Sequence, residues 1–239
     1  MDDRPGPHNG LMRIGTWNMA GRTGPAHVAL LQAQRCDVWL LTAVPERLLV
    51  ADYVLHLGST TMGSAARGGR QRWAGLLSSR TTLPLPDPHP ASAAASIAGR
   101  TFVSSVLPWN GCGEHWPWAG QGPAAKTAEA VRVLVTALSA PSPGGALVWG
   151  GDWNDATAGP DGAGSRVGRE SINRALEGLG LALPTRGLPQ RMTAGQITSH
   201  TSSHIAVPVG DTVLSAHRIS GVVDGVALSD HDAYVIETG

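Results

Sequence analysis

Two distant apolar runs in this chain have the same design, and they restrict the fold more than any other sequence feature. Residues 12–18 read MRIGTWN and residues 146–154 read ALVWGGDWN, so each run contains a tryptophan and ends at an asparagine. A third run, VWLLTAV at 38–44, is apolar throughout. Continuous apolar runs of this length are typical of strands buried on both faces. The chain is therefore predicted to bury its strands beneath further layers of structure.

Helical patterns separate these strands. The first is predicted from Pro25 up to Asp37, with Val28, Leu30, Leu31 and Cys36 on its apolar face; the others are predicted at 126–140 and 165–179. Short β-like runs fill 51–107, and final strands are predicted at 204–208, 211–219 and 233–237. This order favours an α/β fold with two sheets packed face to face and helices outside. We expect one domain at 12–239, preceded by a flexible segment at 1–11.

Composition and charge narrow the possible functions. Of the 239 residues, 42% are hydrophobic and 15% are charged, which supports a folded core. The 18 basic and 18 acidic residues cancel, so no global field draws the protein to nucleic acid or to an anionic membrane. A tight nonspecific nuclease, which benefits from a basic face, is disfavoured by this balance.

The two cysteines predict the compartment. Cys36 and Cys112 form no CxxC pair and suggest neither a zinc site nor a disulfide framework. The first eleven residues lack the basic start and the apolar run of a signal peptide, and no later stretch approaches the ~20 apolar residues of a membrane span. We therefore expect a monomer in a reducing cytoplasm.

Three polar clusters lie at the ends of predicted strands: TWN at 16–18, GGDWND at 150–155, and SDHD at 229–232 before the last strand. Strand ends are where α/β folds place their ligands. Each cluster alone also fits an ordinary turn, because Asn, Asp, Gly and Ser are common turn residues.

Taken in this order and at these distances, the three motifs resemble those of the endonuclease/exonuclease/phosphatase superfamily, which includes apurinic endonucleases, deoxyribonucleases, sphingomyelinases and inositol-phosphate phosphatases. The resemblance spans about residues 12–237. It implies a four-layer α/β sandwich with two mixed sheets. It also implies hydrolysis of a phosphodiester or phosphomonoester with the help of Mg²⁺ or Mn²⁺.

The resemblance assigns a role to five residues of this sequence. Asn18 and Asp230 match metal-site positions. Asp152 matches the carboxylate that activates the attacking water, Asn154 the side chain that positions that water or the phosphate, and His231 the imidazole that steadies charge on the phosphoryl oxygens. Carboxylate and amide oxygens suit Mg²⁺ or Mn²⁺, and phosphate hydrolysis requires a positioned water and stabilised oxygens.

Two positions depart from the family pattern. The family's second strand ends in a metal-binding Glu, where this chain has Ala43 in Leu-Leu-Thr-Ala-Val, so metal affinity is expected to be weaker. The family Asp that orients the catalytic His is Ser203 here, which leaves only a possible hydrogen bond to His231. Glu46 or Asp155 would replace the missing acid if its loop folded back, at a cost in entropy.

A Gly-, Pro- and Trp-rich segment at 108–123 has the character of a functional loop. Trp109 and Asn110 occupy the place where the family usually has a His or Tyr, and they are candidate contacts to a base, a sugar or a phosphate. Alternatively, these two residues pack within the loop. A further alternative is that residues 109–118 form a protein-interaction module.

These residues predict a metal-dependent phosphoesterase impaired at positions 43 and 203. The alternative is a degraded family member that binds a phosphorylated ligand or nucleic acid without efficient turnover. The sequence leaves the substrate open among nucleic acid, phospholipid head group and sugar phosphate.

Overall fold

The structure is a computed structural model that describes residues 11–63, 70–112, 117–140, 145–157, 164–191, 197–198 and 200–239. The N-terminal segment predicted at 1–11 lies outside the described residues except for Leu11. Within the described residues, no helix is long and apolar enough to cross a membrane.

The first sheet contains six strands: β1 (Met12–Asn18), β2 (Val38–Pro45), β3 (Val54–Leu57), β4 (Gln71–Ser78), β13 (Val213–Ile219) and β16 (Ala233–Thr238). They are ordered β13-β16-β1-β2-β4-β3. β1 and β2 are parallel, with Ile14 opposite Val38, and the other neighbours are antiparallel. The sheet is therefore mixed, as the resemblance implies.

The second sheet also has six strands: β5 (Thr82–Leu85), β6 (Ser92–Ile97), β7 (Arg100–Val106), β8 (Leu147–Asp152), β9 (Leu181–Ala182) and β12 (Ser203–Pro208). Their order is β5-β6-β7-β8-β12-β9, and β7 and β8 are its parallel pair. Two short hairpins complete the described strands: β10 (Gln190–Arg191) with β11 (Ile197–Thr198), and β14 (Val222–Val223) with β15 (Val226–Ala227).

The described helices are α1 (Pro25–Ala33), α2 (Gly122–Leu138) and α3 (Arg166–Gly178). All three predicted helices exist; α3 is one residue shorter at each end than predicted, and the other two differ more. α1 ends before Cys36, because the chain turns at Arg35 with φ 49°. α2 begins four residues earlier than predicted, with Pro123 in its first turn, where its missing N–H costs nothing.

Side chains alternate along the strands and so build three apolar layers. Leu40 and Phe102 lie in the layer between the two sheets. Trp39 points the other way and packs with Leu31 beneath α1, whereas Trp149 packs with residues of α2 and α3 on the outer face of the second sheet. The molecule is thus a helix, sheet, sheet, helix sandwich, which confirms the predicted four-layer α/β fold.

Candidate active site

A pocket of about 560 Å³ lies where strands of both sheets end. Its polar lining consists of Asn18, Gln71, Asp152, Asn154, Asp230 and His231. All five residues to which the family resemblance assigns a role therefore line one pocket. Its apolar lining consists of Ala20, Ala43, Met62, Val106 and Trp109.

Glycines bring the end of β8 close to its two neighbours. A Cβ on Gly151, whose φ is 121°, would lie 2.2 Å from the Ser105 carbonyl oxygen, and a Cβ on Gly150 would lie 2.4 Å from that of His204. Any larger residue would push β7 or β12 away. The glycines of the GGDWN motif thus allow the packing that places Asp152 in the pocket.

Asn18 and Asp152 join the two sheets. Nδ2 of Asn18, at the end of β1, donates to Oδ2 of Asp152, at the end of β8, over 2.7 Å. Oδ1 of Asn18 accepts from the Ala20 backbone N–H at 2.9 Å, which fixes the orientation of the amide. Both side chains are therefore held before any ligand arrives.

Two more donors hold the Asp152 carboxylate, which is 3% exposed. Its Oδ1 accepts from the Asn154 backbone N–H at 3.2 Å and from the Ser202 hydroxyl at 3.3 Å. The Ser202 backbone N–H donates in turn to Oε1 of Gln190 at 2.8 Å. Sequence reasoning missed Ser202 and Gln190. The serine run before His204 was a signal for the first, and no motif marked the second.

His231 lies between the two acids of the site. Its Nε2 is 3.7 Å from Oδ2 of Asp152 and 4.0 Å from Oδ1 of Asp230. Its backbone N–H donates to the Ser229 hydroxyl at 3.1 Å, and its carbonyl accepts from the Trp17 indole at 3.2 Å. The main chain of His231 is therefore fixed on both sides.

The loop that carries His231 is anchored by Asp232, which is fully buried. The carboxylate of Asp232 accepts from the Arg218 guanidinium at 3.0 Å and from the Gly221 backbone N–H at 2.8 Å. Sequence reasoning gave Asp232 no role beyond the SDHD motif. The structure shows that it ties this loop to β13.

Asn154 lies one turn beyond β8 in a left-handed conformation, with φ 53°. Its Nδ2 donates to the Leu107 carbonyl at 2.9 Å, and the Leu107 backbone N–H donates to the Asp152 carbonyl at 3.0 Å. The end of β7 therefore supports both residues. One amide hydrogen and the amide oxygen of Asn154 remain to meet a ligand.

Ala43 adopts φ 48° at the end of β2, and its methyl group lines the pocket. Backbone hydrogen bonds hold this turn: Met19 N–H donates to Thr42 O, and Gly21 N–H donates to Ala43 O, both at 2.9 Å. Alanine is strained in the left-handed region. The backbone thus aims position 43 at the pocket, although the residue there offers no ligand atom.

Neither acid considered as a replacement is among the residues that line the pocket. Glu46 is paired with Arg72, with Oε1 and Nε 2.7 Å apart. Asp155 is 1% exposed, and its Oδ1 accepts from the Ser165 backbone N–H at 2.8 Å beside the start of α3. Burial raises the pKa of Asp155 from 3.8 to about 6, although the Ser165 hydrogen bond opposes the rise.

Ser203 does not make the hydrogen bond considered for it. It pairs with Asp152 across β12 and β8 and is 1% exposed, yet its hydroxyl has no hydrogen-bond partner among the described residues. Nδ1 of His231 is likewise buried with no partner in the described part of the chain. A serine side chain is one atom shorter than aspartate, so the ring of His231 lacks a protein group that would orient it through Nδ1.

The two candidate substrate contacts differ in position. Trp109 lines the pocket, whereas Asn110 is exposed and is not among the lining residues. Trp109 packs against Trp118 with the rings at 81° and their centroids 5.8 Å apart, and against Trp73 at 6.5 Å. Trp109 therefore both packs within the loop, as the alternative interpretation predicted, and lines the pocket. Trp116, the remaining tryptophan of the loop, lies outside the described residues.

The donor types in the pocket fit a divalent cation. The carboxylates of Asp152 and Asp230 and the amide oxygen of Asn18 are hard ligands of the kind that Mg²⁺ and Mn²⁺ prefer. Within the described residues, however, no group of three or more His, Cys, Asp or Glu side chains is placed to hold a metal ion. The methyl group of Ala43 lies where the resemblance implies a third carboxylate.

Comparison with solved structures identifies similar folds. A 3'-5' exonuclease, NExo, from Neisseria meningitidis has a TM-score of 0.65 at 17% identity, over 95% of this chain and 99% of that one. An AP endonuclease from Archaeoglobus fulgidus has a TM-score of 0.67 at 16% identity, over 94% and 98% of the two chains. An endonuclease/exonuclease/phosphatase protein from Beutenbergia cavernae has a TM-score of 0.65 at 16% identity, over 96% and 72%. No protein-family model and no curated protein matches the sequence.

Proposed function

Because the chain has the fold of the endonuclease/exonuclease/phosphatase superfamily, we propose that it is a divalent-metal-dependent phosphoesterase with reduced turnover. The observation that carries this proposal is the convergence of Asn18, Asp152, Asn154, Asp230 and His231 on one pocket. Ala43 and Ser203 account for the reduction.

The charges of the pocket support the proposed requirement for a cation. Asp152 and Asp230 bring two carboxylates to the lining, and among the described residues no Lys or Arg lines the pocket. A phosphate ester is itself anionic, so these acids repel it unless a positive charge lies between them. Bound Mg²⁺ or Mn²⁺ supplies that charge and polarises the phosphoryl oxygens. Asp230 and Asn18 would hold it, with Asp152 alongside.

The remaining steps belong to the protein's own side chains. Asp152, oriented by the three donors on its carboxylate, accepts the proton of the attacking water. Asn154, tied to the Leu107 carbonyl, directs its second amide hydrogen at the water or at a phosphoryl oxygen. His231 donates from Nε2 to the charge that develops on the phosphoryl group.

The substrate is a phosphate ester, either nucleic acid or a small phosphorylated molecule. Two proteins with similar folds are an exonuclease and an AP endonuclease, which favours nucleic acid as a candidate. The zero net charge of the chain is the argument for a small ester. Location in the cytoplasm and a monomeric state remain expectations from the sequence.

The second candidate function is binding of a phosphorylated ligand without efficient turnover. Two observations favour it: a methyl group stands at the strand-end metal position, and Nδ1 of His231 has no partner. In this reading Asn154 and His231 hold the phosphate, and the chemical step is slow because the cation binds weakly.

One set of variants decides between the two functions. We would assay the wild type, Ala43→Glu and Ala43→Glu/Ser203→Asp on plasmid DNA and on a simple phosphodiester, with Mg²⁺ and with Mn²⁺. A phosphoesterase with a damaged site should gain about 10- to 100-fold in activity and in Mn²⁺ affinity on restoration, a range typical of changes around a metal site.

Ala98→Glu is the matched control, because Ala98 adopts the same left-handed conformation (φ 49°) on an exposed turn. It should change neither quantity. If the wild type already hydrolyses both substrates as fast as the restored variants, the assignment of Ala43 as a missing ligand is wrong. If the wild type and both restored variants bind phosphate esters but none of them hydrolyses the esters, the binding function is supported.

A further inference from the structure

The apolar side of the pocket is formed by members of a hydrophobic cluster. Val106 belongs to the buried cluster on the outer face of the second sheet, and Met62 and Trp109 pack against that cluster as partly buried members. A ligand in the pocket therefore meets an apolar wall, formed by Met62, Val106 and Trp109, as well as the acids.

Trp109 is held in place within this wall. Trp118, which is 5% exposed, meets it at a steep angle, and Trp73, which is 2% exposed, lies behind both at 5.1 Å from Trp118. An indole fixed by two buried aromatic neighbours loses little freedom when a ligand packs on it. A fixed indole therefore favours a ligand group that is flat over one that is flexible.

The aromatic wall and the phosphate-binding side chains are joined through the backbone after β7. Leu107 accepts the hydrogen bond from Asn154 and donates to the carbonyl of Asp152, and Trp109 follows only two residues later. A group attached directly to a phosphoryl oxygen at Asn154 and His231 therefore has the apolar wall within reach.

Ala43 extends this surface. Where the resemblance implies a carboxylate, its methyl group lines the same pocket as Ala20 and Val106. Fewer water-binding groups on the lining favour an apolar substituent next to the phosphate.

We infer that the ester taken by this pocket carries a planar aromatic group directly on the phosphoryl oxygen, which packs on Trp109. A nucleobase lies farther from its phosphate, with a sugar between them, so aryl esters fit better than nucleotides linked through the sugar. This inference rests on the proposed phosphoesterase site and narrows its substrate class.

The test uses two non-hydrolysable probes with a methylene in place of the ester oxygen: benzylphosphonate and cyclohexylmethylphosphonate. They match in charge and nearly in size, and differ in the flat ring. Their dissociation constants would be measured by calorimetry in the presence of Mn²⁺ for the wild type, Trp109→Phe and Trp109→Leu. Circular dichroism would confirm that both variants fold.

We expect the wild type to bind the benzyl probe about 2- to 12-fold more tightly than the cyclohexyl probe, the range that an aromatic pair contributes beyond burial of its area. Trp109→Phe should keep this preference, and Trp109→Leu, which retains an apolar side chain without a ring, should lose it. Equal affinities in the wild type, or a preference that persists in Trp109→Leu, would overturn the inference while leaving the phosphate site intact. If neither probe binds, the proposed function fails and the inference fails with it.

Discussion

The Asn18 amide donates a 2.7 Å hydrogen bond to the Asp152 carboxylate and so links the ends of two strands that belong to different sheets. The two residues are 134 positions apart in the chain. Because the acceptor is a nearly buried carboxylate, loss of this donor leaves a charge that water can reach only with difficulty.

Asn18→Ala should therefore destabilise the protein by about 1–3 kcal/mol, as expected when a buried acceptor loses a partner. Urea denaturation followed by circular dichroism would give the change in the free energy of unfolding. Asn110→Ala, at an exposed asparagine, serves as the control and should leave stability unchanged. Equal midpoints for the two variants would mean that the bond contributes nothing.

Asp152→Asn should reduce hydrolysis by about 100- to 10,000-fold, because an amide of the same shape cannot accept a proton from water. The measurement is the rate on a simple phosphodiester, in the Ala43→Glu background if the wild-type rate is too low to follow. Measured without a divalent cation, affinity for the benzylphosphonate probe should not fall, since a negative charge is removed from the pocket. Hydrolysis at the wild-type rate would assign the proton transfer to another group.

Asp155→Asn should change how stability depends on pH. The folded-state pKa of Asp155 is about 6, above its value of 3.8 in the absence of the fold, so the native protein binds the additional proton between these values. The contribution of Asp155 to stability is then fully present below about pH 4 and is lost as the pH rises through about 6. Asparagine keeps an acceptor for Ser165 without the charge.

Thermal unfolding of the Asp155→Asn variant should therefore match that of the wild type near pH 4 and exceed it above pH 7, by on the order of 2 kcal/mol. A constant difference at every pH would instead reflect packing. A variant that is less stable at pH 7.5 would show that the ionised carboxylate is favourable where it lies.

Arg218→Ala should destabilise the protein by roughly 3–5 kcal/mol, because it removes the Arg218 guanidinium from the fully buried Asp232 carboxylate. The loss should also disturb Asp230 and His231, which immediately precede the anchored residue. Arg132→Ala is the matched control: it removes an arginine from an exposed pair with Glu129, and no measurable change in stability is expected. Similar losses for the two variants would contradict the special role of Asp232.

The strand-end motifs allowed much of the site to be predicted from sequence. Two of the site residues, Asn18 and Asp152, end strands with a clear apolar pattern, and Asp230 precedes another such strand. The strands of a layered fold bring such ends together. The four-layer order could be predicted for a similar reason. Side chains alternate along each strand, and a strand with apolar side chains on both faces needs a layer to pack against on each side.

Other features of the site depend on contacts that no local pattern records. Glu46 pairs with Arg72, 26 residues later, and Gln190 reaches Ser202 from a separate hairpin. Asp155 accepts its hydrogen bond from Ser165, ten residues later, beside the start of α3. Such pairings arise from tertiary packing, so sequence could name Glu46 and Asp155 as candidates but could not exclude them.

The two halves of the pocket are attached to different sheets, and a single layer of side chains keeps those sheets apart. Leu40 and Phe102 belong to that layer and do not line the pocket. Replacing Leu40 or Phe102 with a smaller residue would let the two sheets approach each other. Asp152 would then shift relative to Asn18 by a fraction of an ångström. Misalignment of that size is costly to catalysis. The side chains between the two sheets thus determine how precisely the catalytic groups at the edge of the sandwich are aligned.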